Sequence, residues 1–286
     1  MITFLRFARA HTIVGTTVSV LVLYLMAGRH LGAQDWTLFG ISLLACLFAN
    51  VYITGLNQLT DVEIDRINKP YLPLASGAYS MATGRVIVWS CLVGAVLTCL
   101  LYRPWLTATV ISSLLIGTAY SVEPVRLKRY HFWAAFCIIA VRGLIVNLLL
   151  YLHFRTELGG SLHVHDNVLA LTFVILLFGA VIAWFKDLPD TEGDAAFGIR
   201  TLSLVRDRGW VFRLGSGALV LAFLVAGTMA AARGEWVVTL GLGSLLLAYI
   251  LLGRQLDLGA QRSIARFYQG VWVLFFAVYG VYGVFG

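Results

Sequence analysis

Long apolar runs alternate with short polar stretches along the whole chain. Taken at helical pitch, they predict nine membrane helices, at approximately 11–27, 36–56, 85–102, 104–122, 131–154, 167–185, 211–232, 235–253 and 264–285. Each run is about 17 to 24 residues, the length an α-helix needs to cross the hydrocarbon core. Arg103-Pro104 separates the third run from the fourth, because proline is tolerated in the first turn of a helix but not in its interior. The expected fold is therefore an all-α integral membrane bundle of nine helices forming one domain over residues 1–286.

Composition supports that reading. Of 286 residues, 60% are hydrophobic and 12% charged, with a mean hydropathy of +0.86, more apolar than a soluble core requires. Arg6 and Arg9 precede the first run, but no small-residue cleavage site follows it, so the N-terminal segment reads as mature sequence. The four cysteines, Cys46, Cys91, Cys99 and Cys137, lie inside apolar runs without a C-x-x-C pair, which argues against a disulfide framework or a zinc site. The net charge of +7 is spread over loops rather than gathered in a stripe, which excludes nucleic acid as a partner. No obligatory protein partner is expected.

The charges instead set an orientation. Sixteen of the 21 Lys and Arg fall at the N-terminus and in the loops after runs two, four, six and eight, whereas Arg29, Arg103, Arg155 and Arg233 lie on the other side. The positive-inside rule places the richer side in the cytoplasm. Ten of the 14 acidic residues share that side, and acidic residues contribute little to topology, so their bias needs a chemical cause.

The acids fall in two groups. "GLNQLTDVEIDRINKPYLPLASG" (55–77) closes the second run with Asn57, Asp61 and Asp65 four residues apart, on one face of a helix at about 6 Å of rise per step. "WFKDLPDTEGD" (184–194) closes the sixth run with Asp190 and Asp194 at the same spacing and Asp187 three residues earlier. One D-x-x-x-D at a helix end is usually solvated loop charge; two on the same membrane face, four runs apart, oppose each other across a cavity and place the halves as parallel four-helix pseudo-repeats with a ninth helix added. Opposed carboxylates repel unless a hard cation lies between them, and Mg²⁺ accepts a few carboxylate oxygens while leaving positions for phosphate. Lys69, Arg126, Lys128, Arg129 and Lys186 flank the groups and suit the remaining phosphate charge. Glu63 and Glu192 fall off the Asp faces.

Within run five, Arg142 lies at membrane depth, where a charge faces a polar cavity or snorkels; contact with an anionic substrate is the reading favoured. Asn147 is expected to bond across helices, His153 to lie near the outer interface, and His11, near Arg9, to act as a polar lid at the end opposite that interface. The remaining His, Tyr and Trp read as interfacial belts. A cation or anion transporter is the alternative from another class, but it should line a path at the midplane with ionisable groups, and only Arg142 is deep. A lipid-binding scaffold needs neither Asp array.

Asn57-x-x-x-Asp61-x-x-x-Asp65 with Asp187-Leu-Pro-Asp190-x-x-Gly-Asp194 resembles the UbiA superfamily of intramembrane aromatic prenyltransferases. "YSVEPVRLKR", "CIIAVRGLIVN", "FKDLPDTEGDAAFGIRTLS" and "FYQGVWVLFF" are similar to its homogentisate phytyltransferase branch, from Arg6 to about Phe276. The resemblance implies a central cavity opening sideways to lipid and capped by the Asp-rich loops. It implies that Asn57, Asp61, Asp65, Asp187, Asp190 and Asp194 hold Mg²⁺ and diphosphate, with Asp61, Asp65, Asp190 and Asp194 catalytic. By the same resemblance Lys69, Tyr120, Arg126, Lys128 and Lys186 contact the phosphates, and Arg142 or Arg9 meets the acceptor carboxylate. The implied substrates are a prenyl diphosphate and homogentisate, which loses its carboxyl group as CO₂; chlorophyllide, hydroxybenzoate and naphthoate stay open as acceptors. Ala10, Ala78 and Glu123 depart from the branch pattern without removing an expected ligand. The lack of a Ser- and Arg-rich transit segment points to a prokaryotic cytoplasmic or thylakoid membrane.

Overall fold

The computed structural model describes residues 2–29, 31–102, 104–186, 188 and 202–286. It is a helical bundle; among the described residues there is no strand. A short helix α1 (Ile2–Phe7) precedes α2 (Ala10–Arg29), α3 (Trp36–Thr60) and α4 (Val62–Asn68), then α5 (Met81–Cys99) and α6 (Trp105–Ser121). The fifth run forms one continuous rod of α7 (His131–Ile139), a π-helix (Ala140–Leu149) and α8 (Leu150–Glu157). It is followed by α9 (Asp166–Phe185), a single turn α10 (Leu202–Val205), α11 (Arg208–Ala232), α12 (Trp236–Arg254) and α13 (Gln261–Phe285).

Eight of these helices are long and apolar enough to cross a membrane, counting 131–157 as one; α6, at 17 residues, falls just short, so helix length does not fix the count at nine. Polar caps set several helix starts, two of them ahead of the apolar runs. Asp35 starts α3, its Oδ1 accepting from Thr37 N at 2.8 Å and Leu38 N at 3.0 Å. Ser80 Oγ accepts from Thr83 N at 3.0 Å and starts α5 one turn before the apolar run, through the polar residues Thr83 and Arg85. Asp207 Oδ1 does the same for α11 by accepting from Trp210 N. Each cap satisfies amides that a helix start leaves without a partner.

Six elements form a closed ring: α2 packs on α3, α3 on α6, α6 on the π-helix, the π-helix on α9, α9 on α13, and α13 back on α2. Outside it, α5 lies along α3 and α11 along α9, while α12 bridges α11 and α13. Close approach in the ring depends on small residues: a Cβ on Gly143 would stand 2.5 Å from Leu176 Cδ2 and 3.1 Å from its Cα, which lets the π-helix meet α9 backbone to side chain. At the ring's far end Arg29 of α2 donates to the carbonyls of Gly283, Val284 and Gly286, satisfying the last turn of α13.

Asn147, fully buried, fastens the π-helix to α13: its Oδ1 accepts from Tyr279 Oη at 2.7 Å, and its Nδ2 donates to Arg142 O at 3.1 Å and Gly143 O at 2.9 Å. Asn147→Leu removes the acceptor of the buried Tyr279 hydroxyl and should destabilise the bundle by about 1–3 kcal/mol, read as a lower Tm in detergent. Adding Tyr279→Phe to it should cost less than the two separate losses together, since the variants share one hydrogen bond.

Candidate functional site: a polar mouth on a membrane cavity

The ring encloses a cavity of about 1110 Å³ lined at one end by loop residues and along its depth by α2, α3, α6, the π-helix, α9 and α13. Asn57, Asp61, Asp65, Lys69, Tyr120, Lys128, Lys186, Arg9 and Arg142 all line it. The structure thus brings those nine expected site residues to one space. Asp187, Asp190 and Asp194 lie outside the described residues.

Residues 57–65 do not form one unbroken helix. The chain bends at Asp61, which ends α3 and opens α4 with φ −117° and ψ 16°. The bend brings Asp61 back on Asn57, whose Nδ2 donates to Asp61 Oδ2 at 2.9 Å. Asp61 Oδ1 receives Lys128 Nζ at 2.5 Å and Arg126 Nη2 at 3.0 Å, both from the turn after α6. Lys128 also donates to Thr60 Oγ1 at 3.2 Å. Asp65, one turn on, is buried, whereas Glu63 points to solvent and pairs with Arg66 at 2.7 Å.

Two non-glycine residues among those described have positive φ, Arg9 at 51° and Arg126 at 34°, and both reach this cluster. Arg9 joins α1 to α2 and donates from Nη2 to Asn57 Oδ1 at 3.1 Å. Backbone held in the left-handed region by a long side chain costs energy and is retained where surrounding contacts fix it, as at functional sites. Glu123, the departure in the sequence, organises the basic turn: Arg126 donates to its Oε1 at 3.1 Å, and Arg129 binds the same oxygen. Lys128 is only 7% exposed, and burial lowers its pKa to about 8 although the Asp61 carboxylate opposes the shift. Across the mouth, Lys186 at the end of α9 donates to Tyr120 Oη at 2.7 Å, with its ammonium 5.4 Å from the ring centre.

The described donors Asn57, Asp61 and Asp65 are oxygen donors only, and Asp61 is already surrounded by cations; that is the chemistry a hard divalent ion and a polyphosphate require. Among the described residues no three His, Cys, Asp or Glu side chains gather as a metal cluster.

Deeper in, several expectations change. Tyr268, Trp272 and Tyr279 of α13 line the cavity instead of forming an interfacial belt. Their spacing with Phe275 and Phe276, in steps of three and four, is the signal in "FYQGVWVLFFAVY" that marks one aromatic face. The guanidinium of Arg142 lies 5.0 Å from the Trp272 ring centre and faces the cavity rather than snorkelling to an interface. His11, two residues from Arg9, packs against the same indole at 4.9 Å between ring centres. His153 is buried inside the bundle with its Nε2 paired to Ser42 Oγ of α3 at 2.8 Å, a contact that hydropathy alone does not reveal.

Residues 16–279 match the model of the UbiA prenyltransferase family. The chain is 46% identical to homogentisate phytyltransferase of Synechocystis sp. (strain ATCC 27184 / PCC 6803 / Kazusa), covering 98% of this chain and 94% of that one. It is 40% identical to the chloroplastic homogentisate phytyltransferase 1 of Arabidopsis thaliana, with 96% of this chain and 73% of that protein covered. Among solved structures, a UbiA homologue from Archaeoglobus fulgidus bound to GPP and Mg²⁺ superimposes with a TM-score of 0.66 at 17% identity, covering 98% of this chain and 99% of that one. The apo UbiA homologue from Aeropyrum pernix K1 gives 0.67 at 15% identity, with 94% and 95% covered. With its ring of membrane helices and its polar mouth, the chain belongs to the UbiA prenyltransferase family.

Proposed function

We propose that this protein transfers a prenyl chain, phytyl by preference, from its diphosphate to homogentisate, with loss of the carboxyl group as CO₂. The observation that carries this reading is the Arg9–Asn57–Asp61–Lys128–Arg126 chain at the mouth of an apolar cavity that also holds Arg142. Relatives named for phytyl and geranylgeranyl transfer to homogentisate, at 46% and 36% identity, favour this acceptor over hydroxybenzoate or chlorophyllide. In this reading the mouth and N-terminus face the cytoplasm, where the basic loops place them.

Asn57, Asp61 and Asp65, with Asp187, Asp190 and Asp194 from the second motif, would hold Mg²⁺, which when bound supplies Lewis-acid neutralisation of the diphosphate. Lys69, Lys128, Arg126 and Lys186 donate to the phosphate oxygens, where negative charge grows as the allylic C–O bond breaks. Tyr120 fixes Lys186 at the mouth. The apolar ring excludes water, which would otherwise capture an allylic cation, and the α13 aromatic face supplies ring π density beside it. Arg142, with no acidic partner among the described residues, takes the acceptor carboxylate, and Arg9 lies between that position and the diphosphate.

Purified protein in lipid, given homogentisate, phytyl diphosphate and Mg²⁺, should form prenylated quinol and CO₂ one for one; product with hydroxybenzoate alone would overturn the acceptor. Asp61→Ala should lower turnover by about 10²-fold or more while insertion and thermal unfolding show a folded bundle. Chelation with EDTA should stop the reaction and added Mg²⁺ restore it; turnover that persists in EDTA would remove the metal from the scheme. Arg142→Ala should raise KM for homogentisate and leave KM for the prenyl diphosphate unchanged, and unchanged kinetics for both would free Arg142 of this role.

A further inference from the structure

Three groups meet at the deep end of the polar chain. Trp272 carries Arg142 at 5.0 Å from its ring centre and the His11 imidazole at 4.9 Å, the two rings inclined at 62°. Gly15, one turn after His11 on α2, makes room for this grouping: a Cβ there would stand 3.3 Å from Phe276 and 3.5 Å from Arg142 Nη1. Trp272 is only 6% exposed, and its Nε1–H lies beside the Tyr268 hydroxyl without a hydrogen bond of good geometry.

The electrostatics of this end are one-sided. Among the described residues that line the cavity, the acids are Asp61 and Asp65, both at the mouth, whereas Arg9 and Arg142 reach inward. Arg9 Nε is buried without a partner, and its Nη2 contacts only the neutral amide of Asn57. Neither nitrogen of His11 has a hydrogen-bond partner among the described residues, although the side chain opens onto the cavity. The guanidiniums of Arg9 and Arg142, with no acid beside them among the described residues, and an imidazole that faces the cavity suit a ligand that supplies negative charge and a hydrogen-bonding hydroxyl. An indole face with a guanidinium and an imidazole each about 5 Å from its ring centre matches a hydroxylated aromatic acid: ring on Trp272, carboxylate on Arg142, hydroxyl on His11.

We propose that His11 is a catalytic residue: it accepts the hydroxyl proton of the aromatic acid seated on Trp272, making the ring the nucleophile. This rests on the prenyl-transfer reading above and adds to it the group that activates the acceptor. As the hydroxyl proton passes to the imidazole, the oxygen electrons enter the ring, and a ring carbon forms the new bond to the allylic carbon. The allylic C–O pair leaves with the diphosphate. The substituted ring carbon then releases its own proton while the imidazolium returns one to the oxygen, so aromaticity is restored. Where the carboxyl leaves as CO₂, its bonding pair stays on the side-chain carbon, which takes up the released proton. Arg9 and Asn57 link His11, two residues from Arg9, to the diphosphate end, so the nucleophile and the breaking bond share one space.

The test compares wild type, His11→Ala and His11→Gln in lipid with homogentisate, phytyl diphosphate and Mg²⁺. His11→Ala should lower kcat by about 10²-fold, the usual contribution of a positioned base, with KM for the prenyl diphosphate unchanged. Imidazole added to the buffer should restore part of that rate, since the deletion opens onto the cavity. His11→Gln, close in size and without a basic nitrogen, should stay slow and carries the test if the alanine variant fails to fold. Wild-type rates in His11→Gln, or a loss in His11→Ala that imidazole leaves untouched, would overturn the role of His11 while the transfer reading stands. A wild-type protein silent with every hydroxylated aromatic acid would overturn the transfer reading and this inference with it.

Discussion

The carboxylate of Asp61 is the point on which the mouth of the cavity is built. It draws a lysine and an arginine from the turn after α6 onto the end of α3, and it holds Asn57, which in turn holds Arg9 from the start of α2. Three chain segments meet at one anion. Burying Lys128 to 7% exposure is unfavourable for an ammonium without such a partner. The same arrangement concentrates three cations within reach of one small volume, a field tolerable only because acid already sits at its centre.

The two ends of the cavity divide the chemistry. At the mouth, hydrophilic side chains come from loops and helix ends, where backbone irregularity is free to bend at Asp61 and to take left-handed conformations at Arg9 and Arg126. At depth, irregularity is confined to the π-helix, whose extra residue per turn is tolerated because Asn147 satisfies the carbonyls of Arg142 and Gly143 and because its neighbours in the bundle pack around it. The cation at depth, Arg142, therefore sits on a rigid support.

Much of this was legible in the chain. Apolar runs of bilayer length located the membrane helices, and the Asn57, Asp61 and Asp65 series at the end of the second run located the mouth. What hydropathy missed follows from its blindness to direction. It cannot distinguish Trp272 turned into a cavity from Trp36 turned outward, since both lie on apolar helices. It also extends a helix through Asn57 to Asp65, because the bend at Asp61 arises from a carboxylate held by side chains distant in sequence. Arg142 was readable, since an arginine in an apolar run already demands a partner. The contact of His11 with Trp272 was not readable, since the two lie 261 residues apart.

That separation has a consequence for biogenesis. The ring closes only where α13 meets α2, the last helix against the first that spans. Until the ribosome has released residues 261–285, the wall bearing Tyr268, Trp272 and Tyr279 is missing and Arg142 faces an open seam. Until then Arg142 lies beside an open wall, and the Arg29 clamp on the carbonyls of Gly283 and Val284 holds that wall once it has formed.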